Sequence, residues 1–290
     1  MTKLVSATGI HLLLCVLIFS AIGFSQDSVV QGTCIFHPIA LPTDQSLRFA
    51  TAINDVGAVV GAVSKPSGPV TSGMLSFNGK VTLFTFPGDS VQTFPNDINN
   101  HAQIVGSYDS ISRGRNGFLV HDGGFQTIKV PNSSGTNANG ISDKGDIVGA
   151  FSMPGRGLQA FLLHSGHFTT FSIPGALSTQ AGSINIHGQI VGTYHKEGQD
   201  HGFLVKNGLF TFIDFPGATN TELNKINNEG DIVGQYDDAT GVHGFALDKG
   251  RFVTLDDPKA PGDEIGLAAV NNLDQVVTRA GHVGDCHNQF

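Results

Sequence analysis

Tryptophan is absent from this chain, and charge is scarce. Asp, Glu, Lys and Arg together make up 14% of the residues, against about a quarter in an ordinary soluble protein. The 16 basic residues face 24 acidic ones, for a formal net charge of −8. They are spread thinly and form no stripe. Nucleic acid and anionic membrane both require clustered Lys and Arg, so neither is expected as a partner. Motifs that carry catalysis are missing too. There is no Gly-x-Ser-x-Gly elbow, no phosphate loop, no Ser-His-Asp set with supporting context, and no His-x-His or His-x-x-Glu-His frame. No catalytic residue, metal ligand or cofactor is therefore assigned. Cysteine is limited to Cys15, Cys34 and Cys286.

Glycine and phenylalanine are abundant instead. The 290 residues include 38 Gly and 21 Phe, and 40% are hydrophobic. Many glycines among Phe, Val and Ile indicate short strands and many turns, hence an all-β protein. The first 25 residues depart from this pattern. Lys3 precedes an apolar run over 10–24, and small residues (Ala21, Gly23, Ser25) follow in cleavage-site frames. The run is shorter than the ~20 residues of a membrane span. Residues 1–25 are expected to be a secretory signal peptide and 26–290 one domain, secreted or held in the periplasm or cell envelope. No membrane span should remain after cleavage. Cys15 then leaves with the signal, and Cys34 with Cys286 is the even pair of an oxidising compartment.

The mature chain repeats. A frame of apolar residue, Asn-x-x-Gly, a β-branched pair and Gly occurs at 226–234, and returns at 53–61, 98–106, 141–149, 184–192 and 270–278. It reads as strand, tight turn, strand (a and b), with Asn tolerating unusual turn dihedrals and Gly supplying a positive φ. A Gly/Ala-Phe-Leu strand (c) follows, as at Gly117-Phe118-Leu119 and Gly202-Phe203-Leu204. After a turn comes a strand ending in Pro (d): 81–87, 125–131, 168–174, 210–216 and 252–258. The distance from Asn to the strand-b Gly is always seven residues, and from strand c Phe or Met to the strand-d Pro always thirteen. Only the b–c and d–a stretches vary, each from eleven to thirteen. The period of 42–45 residues with four strands predicts β-propeller blades.

Strands a and b occur six times, whereas the last repeat has only a weak c at 281–287 and no d. A lone d-like strand stands at 36–42. The expected fold is a six-bladed β-propeller of four-stranded blades, its ring closed by the N-terminal strand. Aligning Gly284 with Gly244 places Cys286 at the position of Ala246. Aligning Pro42 with Pro258 places Cys34 at that of Gly250. The two should then be cross-strand neighbours joined by a disulfide.

The repeats, with His201-Gly202-Phe203-Leu204, His243-Gly244-Phe245 and Gln159-Ala160-Phe161, resemble the bacterial extracellular HAF repeats, named for a His-Ala-Phe motif. Gly replaces Ala in the first two, His is missing from the third, and the Trp that often follows is absent. The resemblance implies a secreted repeat protein and brings no catalytic residues with it.

Candidate binding residues lie where the repeats disagree. Asn96, Asn139 and Asn224 share one register of strand a with Thr51, Gly182 and Ala268, and Asp97 and Lys225 come next. An innermost strand would make them ring an axial channel. His195 and Asp237 are equivalent residues of adjacent repeats whose loops can converge on a metal or a proton. Repeat-motif packing is the plainer role for His201 and His243, which precede strand c, and turn positions for His164, His167, Asp122, Asp143 and Asp231. The polar stretches Asp89-Ser90, 132–137, Ser178-Thr179-Gln180 and Thr219-Asn220-Thr221 read as d–a loops suited to sugar hydroxyls or a protein surface. Variable loops on a fixed scaffold usually carry binding. The expected function is a monomeric, non-enzymatic binding module for a glycan or an extracellular protein on the b–c and d–a face. A hydrolase or lyase acting at the channel mouth, or a structural envelope or matrix protein, are the alternatives. The Asn-x-x-Gly turn belongs to the opposite, scaffold end, with its glycine permitting a bulge or a close approach from the next blade.

Overall fold

The structure is a computed structural model that describes residues 30–31, 34–65, 68, 70–255 and 267–286. The expected signal peptide lies outside the described residues, as do the ends of the strands expected at 252–258 and 281–287. The fold is all-β and propeller-like. Four sheets have the form of blades. One contains Gly135–Ile141, Ile147–Ser152, Gln159–His164 and His167–Phe171 in order. The next contains Ser178–Ile184, Ile190–Lys196, Gln199–Lys206 and Leu209–Ile213. A third contains Asn220–Ile226, Ile232–Asp238, Gly241–Asp248 and Arg251–Thr254, with Val30–Gln31 added in parallel at its edge. The fourth unites both ends of the chain: Leu267–Val270, Gln275–Thr278, His282–Asp285 and Ile35–Pro38. The repeats beginning at Ser46–Ile53 and Ser90–Ile98 share one eight-stranded sheet. Among the described residues no helix is long and apolar enough to cross a membrane.

The Asn-x-x-Gly turn works differently from its sequence reading. Positive φ falls on the glycine, at +77° in Gly57 and +98° in Gly230, and on Ala102 and Asp274 where glycine is replaced. The Asn avoids that region and acts through its side chain. Its Oδ1 accepts the turn N–H groups, as Asn227 does from Gly230 and Asp231. Its Nδ2 donates to the backbone carbonyl of the equivalent residue in the next repeat. Asn54 donates to Asn99 at 3.1 Å, Asn99 to Ser142 at 3.1 Å, Asn185 to Asn227 at 3.0 Å, Asn227 to Asn271 at 3.3 Å, and Asn271 to Asn54 at 3.0 Å. The following position adds a second tier. The N–H of Asp55 donates to Asn100 Oδ1, Asn100 to Asp143, Ile186 to Asn228, Asn228 to Asn272 and Asn272 to Asp55. Ser142 has no amide to give and Ile186 no oxygen to receive, so both tiers are interrupted between the same two repeats. Asp143 is thus an acceptor between repeats. Asp122 is the turn former expected of it, at φ +49°.

The strand-b glycine serves its own sheet. A Cβ on Gly149 would lie 1.9 Å from the Asn137 carbonyl oxygen, and one on Gly234 2.0 Å from that of Glu222. Strand a carries a bulge beside this contact in each case. Across the sheet the glycine meets the fully buried strand-c rings of Phe161 and Phe245. The close approach from the next sheet comes instead at a strand-c glycine: a Cβ on Gly202 would sit 2.6 Å from the Leu223 side chain. Buried Ile and Val of the repeat frame fill the space between sheets, each contributing about 1.5–3 kcal/mol.

Cys34 and Cys286 form a disulfide with a Cα separation of 4.6 Å. Cys34 occupies the position expected for it, but strand c is in a different register. Asp285 pairs with Ile35 as Asp248 pairs with Arg251. Cys286 therefore corresponds to Lys249, three residues beyond the expected Ala246. The two cysteines stand where the Lys249–Gly250 peptide turns from strand c to strand d.

Three stability predictions rest on these contacts. Cys34→Ser, Cys286→Ser and the double variant should each lose about 2–5 kcal/mol in urea unfolding, with the double no worse than either single. Asn227→Ala strands a buried carbonyl and the turn N–H groups and should cost about 1–3 kcal/mol. Ser142→Asn, which supplies the missing amide, should gain about 0.5–1.5 kcal/mol in the same assay.

Candidate functional site

Strand a of each repeat packs against strand a of the next, and the middle and later parts of these strands enclose a cavity of about 380 Å³. Its wall includes the whole predicted register: Thr51, Asn96, Asn139, Gly182, Asn224 and Ala268. It opens toward the b–c and d–a connections. A smaller cavity of about 60 Å³ lies at the other end among the Asn-x-x-Gly turns. A volume near 400 Å³ is at the low end of small-ligand sites.

Several polar groups in that register are already engaged. Asn96 Nδ2 donates to the Ala138 carbonyl and Asn139 Nδ2 to that of Ala181, both at 2.9 Å, and Thr51 Oγ1 donates to Pro95 at 2.9 Å. These bonds bind repeat to repeat.

Asp97 and Lys225 lie between the two cavities. Lys225 lines both, and its Nζ is 2.7 Å from Asp97 Oδ1. The side chains are only 8% and 10% exposed. Asp97 is held further by the N–H groups of Ile98 and Ile141. The ammonium makes this ion pair off the alignment of a good hydrogen bond and finds no other partner among the described residues. Burial pushes the Lys225 pKa down, and the Asp97 charge opposes that shift in part.

Glu222 stands on the wall, at the register two residues before Asn224. Its carboxylate accepts from Gln235 Nε2 at 3.1 Å and lies 3.9 Å from the half-exposed Arg279 guanidinium. Burial raises the Glu222 pKa; Arg279 lowers it, and the charges of Asp200 and Asp237 raise it further. His195 and Asp237 do not meet directly. His195 Nδ1 pairs with Asp200 at 2.8 Å, the Asp200 N–H donates to Asn220 Oδ1, and Asn220 Nδ2 donates to Asp237 at 2.8 Å. The network joins the predicted pair through two residues, one of which, Asp200, lines the cavity.

His201 and His243 stack on the strand-b rings of Tyr194 and Tyr236, with centroids 5.1 Å apart. His201 also pairs with Asp214, and His243 with Thr240. His164 pairs with Asp146, and His167 Nδ1 lies 2.9 Å from the Ser165 carbonyl in the same turn. Among the described residues no three His, Cys, Asp or Glu are placed to hold a metal. The stretches read as d–a loops are largely strand. Gln180 belongs to Ser178–Ile184 and lines the cavity, whereas Thr93, Thr136, Thr179 and Thr221 are buried and accept N–H groups from the preceding turn. Glu222, Arg279 and Asp200 are cavity residues that sequence reasoning did not single out, and Gln180 was read only as part of a polar d–a loop. Gln180 and Glu222 share the strand-a alternation that exposed Asn139 and Asn224, one step earlier. Arg279 follows Thr278, which replaces the strand-b glycine, and that departure was the available signal.

No family model matches the chain, and no curated protein matches it in sequence. Its fold is found in solved propeller structures. Streptogramin B lyase superposes with a TM-score of 0.50 at 11% identity, over 87% of this chain and 96% of that one. TolB from Acinetobacter baumannii gives 0.56 at 14%, over 81% and 65%. A putative TolB from Agrobacterium tumefaciens gives 0.54 at 12%, over 71% and 79%. At such identities the likeness is one of fold.

The ion pair at the cavity floor yields an asymmetric expectation. Asp97→Ala leaves a buried ammonium unpaired and should cost about 3–5 kcal/mol. Lys225→Met leaves Asp97 two backbone donors and should cost less. Denaturant melts of both singles and the double should show the double no less stable than Asp97→Ala alone.

Proposed function

We propose that this protein is a secreted, monomeric binding propeller of the HAF-repeat kind that takes the end of a glycan into its axial cavity. In this reading the ring has six blades. The eight-stranded sheet counts as two of them, since a single bridge, Thr71 to Gln92, joins its halves. The N-terminal strand closes the ring by completing the last blade. The pairing of Ile35–Pro38 with His282–Asp285 and the packing of Leu267–Val270 on Ser46–Ile53 support that closure. A cleaved signal peptide and the Cys34–Cys286 disulfide fit an extracellular or periplasmic setting.

The observation that carries the reading is the wall of the cavity. Gln180, Asn96, Asn139, Asn224 and Thr193 line it with neutral polar side chains, and Phe49 adds an aromatic one. Sugars need both, because hydroxyls pair with planar amides while the C–H face rests on an apolar ring. The cavity opens among the variable connections, where differences between related proteins change specificity at little cost to the scaffold. The enzyme alternative would start from Glu222, whose displaced pKa makes it a possible proton donor.

A glycan array followed by thermal-shift titration of the mature protein tests the reading. A bound glycan at about a hundred times its Kd should add about 2.7 kcal/mol of stability, and Gln180→Ala should abolish the shift. Chromatography of the incubated glycan should return it unchanged. Cleaved product would favour the lyase or hydrolase reading, and no shift with any glycan would favour a structural protein.

A further inference from the structure

The b–c connection of the repeat that begins at Ser90–Ile98 runs between Ile104–Ser110 and Gly114–His121. It presents Ile111, which is 79% exposed and the most exposed large apolar side chain among the described residues. The connection is nonetheless fixed in place. Asp89 accepts from Ser110 Oγ at 2.7 Å, from the Ser112 N–H at 3.0 Å and from Ser112 Oγ, and the Ile111 N–H donates to the Asp89 carbonyl at 3.4 Å. Ser112 and then Ser110 hold the Asp89 carboxyl down at about 2, so this latch stays ionised at neutral pH. A segment fixed in advance loses little entropy when a partner covers it.

Apolar surface continues on both sides. Ser90 pairs with Ser110, which brings Val91 to the same sheet end as Ile111, and the bridge from Thr71 to Gln92 sets Val70 beside Val91. Both valines are exposed. The b–c connection of the next repeat, between Ile147–Ser152 and Gln159–His164, adjoins the first. Gly135 joins them: a Cβ there would lie 3.8 Å from the Arg115 carbonyl oxygen and 3.2 Å from Ser152 Oγ. Gly157 in turn packs on the backbone of Leu177, whose side chain is 69% exposed. Unpaired positive charge runs along the same stretch. Arg113 and Arg156 hold equivalent places in the two connections, seven residues past Gly106 and Gly149, and Lys129 stands where the d–a connection between these repeats starts. All three are exposed and have no ion partner among the described residues. The nearby carboxylates are occupied, Asp109 by both bonds of the Arg115 guanidinium at 2.8 Å and Asp89 by the serines.

We propose that these two b–c connections dock an acidic segment of another protein, with one of its apolar side chains on Ile111 and its flanking carboxylates on Arg113 and Arg156. Arginine beside a fixed apolar anchor is the composition of a protein interface. A polyanionic glycan or a nucleic acid would use the cations and leave Ile111 in water. The surface lies outside the axial cavity, and the proposal does not depend on the glycan reading.

Selection of short random peptides on the immobilised mature protein, followed by anisotropy titration of the enriched peptides, tests the surface. The enriched peptides should carry Asp or Glu on both sides of an aliphatic or aromatic residue. Ile111→Ser, and separately Arg113→Glu with Arg156→Glu, should weaken them about tenfold or more, and added salt should weaken them as well. Lys206→Glu, at the opposite end of its sheet, should leave them unchanged. Thermal melts confirm that the variants fold, and the Gln180-dependent glycan shift should survive in all of them. Peptides that bind Ile111→Ser undiminished, or tighter binding of polygalacturonate than of any peptide, make this a polyanion site and overturn the proposal. A dimer of the protein alone that Arg113→Glu dissociates gives the surface to a second copy and overturns it as well. A selection that enriches no sequence does the same.

Discussion

A single side-chain amide sets the relation of one repeat to the next. The turn asparagine is buried, so each of its hydrogen-bonding groups requires a partner. Its oxygen closes its own turn and its nitrogen holds the neighbour's carbonyl, about 3.0–3.3 Å away in every such link. Losing either half would leave a buried polar group unpaired. Turn shape and repeat spacing are therefore fixed together, and the a strands leading into these turns, which line the cavity, inherit that spacing.

The same economy explains which residues remain for recognition. Asn96, Asn139 and Thr51 stand in the most prominent register, yet their donors are spent on the adjacent strand a. The threonines three positions before that register hold the preceding turns. Groups outside these duties are the exceptions to the repeat: Glu222, Gln180, Asp200 and Arg279. They gather on one side of the cavity, so the site is lopsided although the scaffold is nearly symmetric.

Much of the architecture was legible in the sequence because it depends on spacing. Fixed distances from Asn to Gly and from Phe to Pro located the hairpins, the four-stranded sheets and the invariant end. The disulfide pairing was legible for the same reason. Its register was not, because the last strand c lacks Phe and offers only Gly284 to align on. The role of the turn asparagine was hidden because its partner lies 42–45 residues away, and local turn chemistry explains the residue equally well. For the candidate site, the strand-a register lines one cavity, as its alternation implied. Sequence could not say which of its members were already bonded to a neighbour, nor that Asp97 and Lys225 meet. The latter depends on two strands three repeats apart facing each other.

The position of the disulfide has one more consequence. Because Cys34 and Cys286 take the places of two consecutive turn residues, the backbone from one to the other is a covalent circle. A protease that cuts one loop would open that circle without releasing a fragment. The molecule would gain only the water of hydrolysis and stay in one piece until the cystine is reduced, and the ends of its folded part would move to the cut. Each connection between strands within that circle is thus an equivalent place for the chain to be opened.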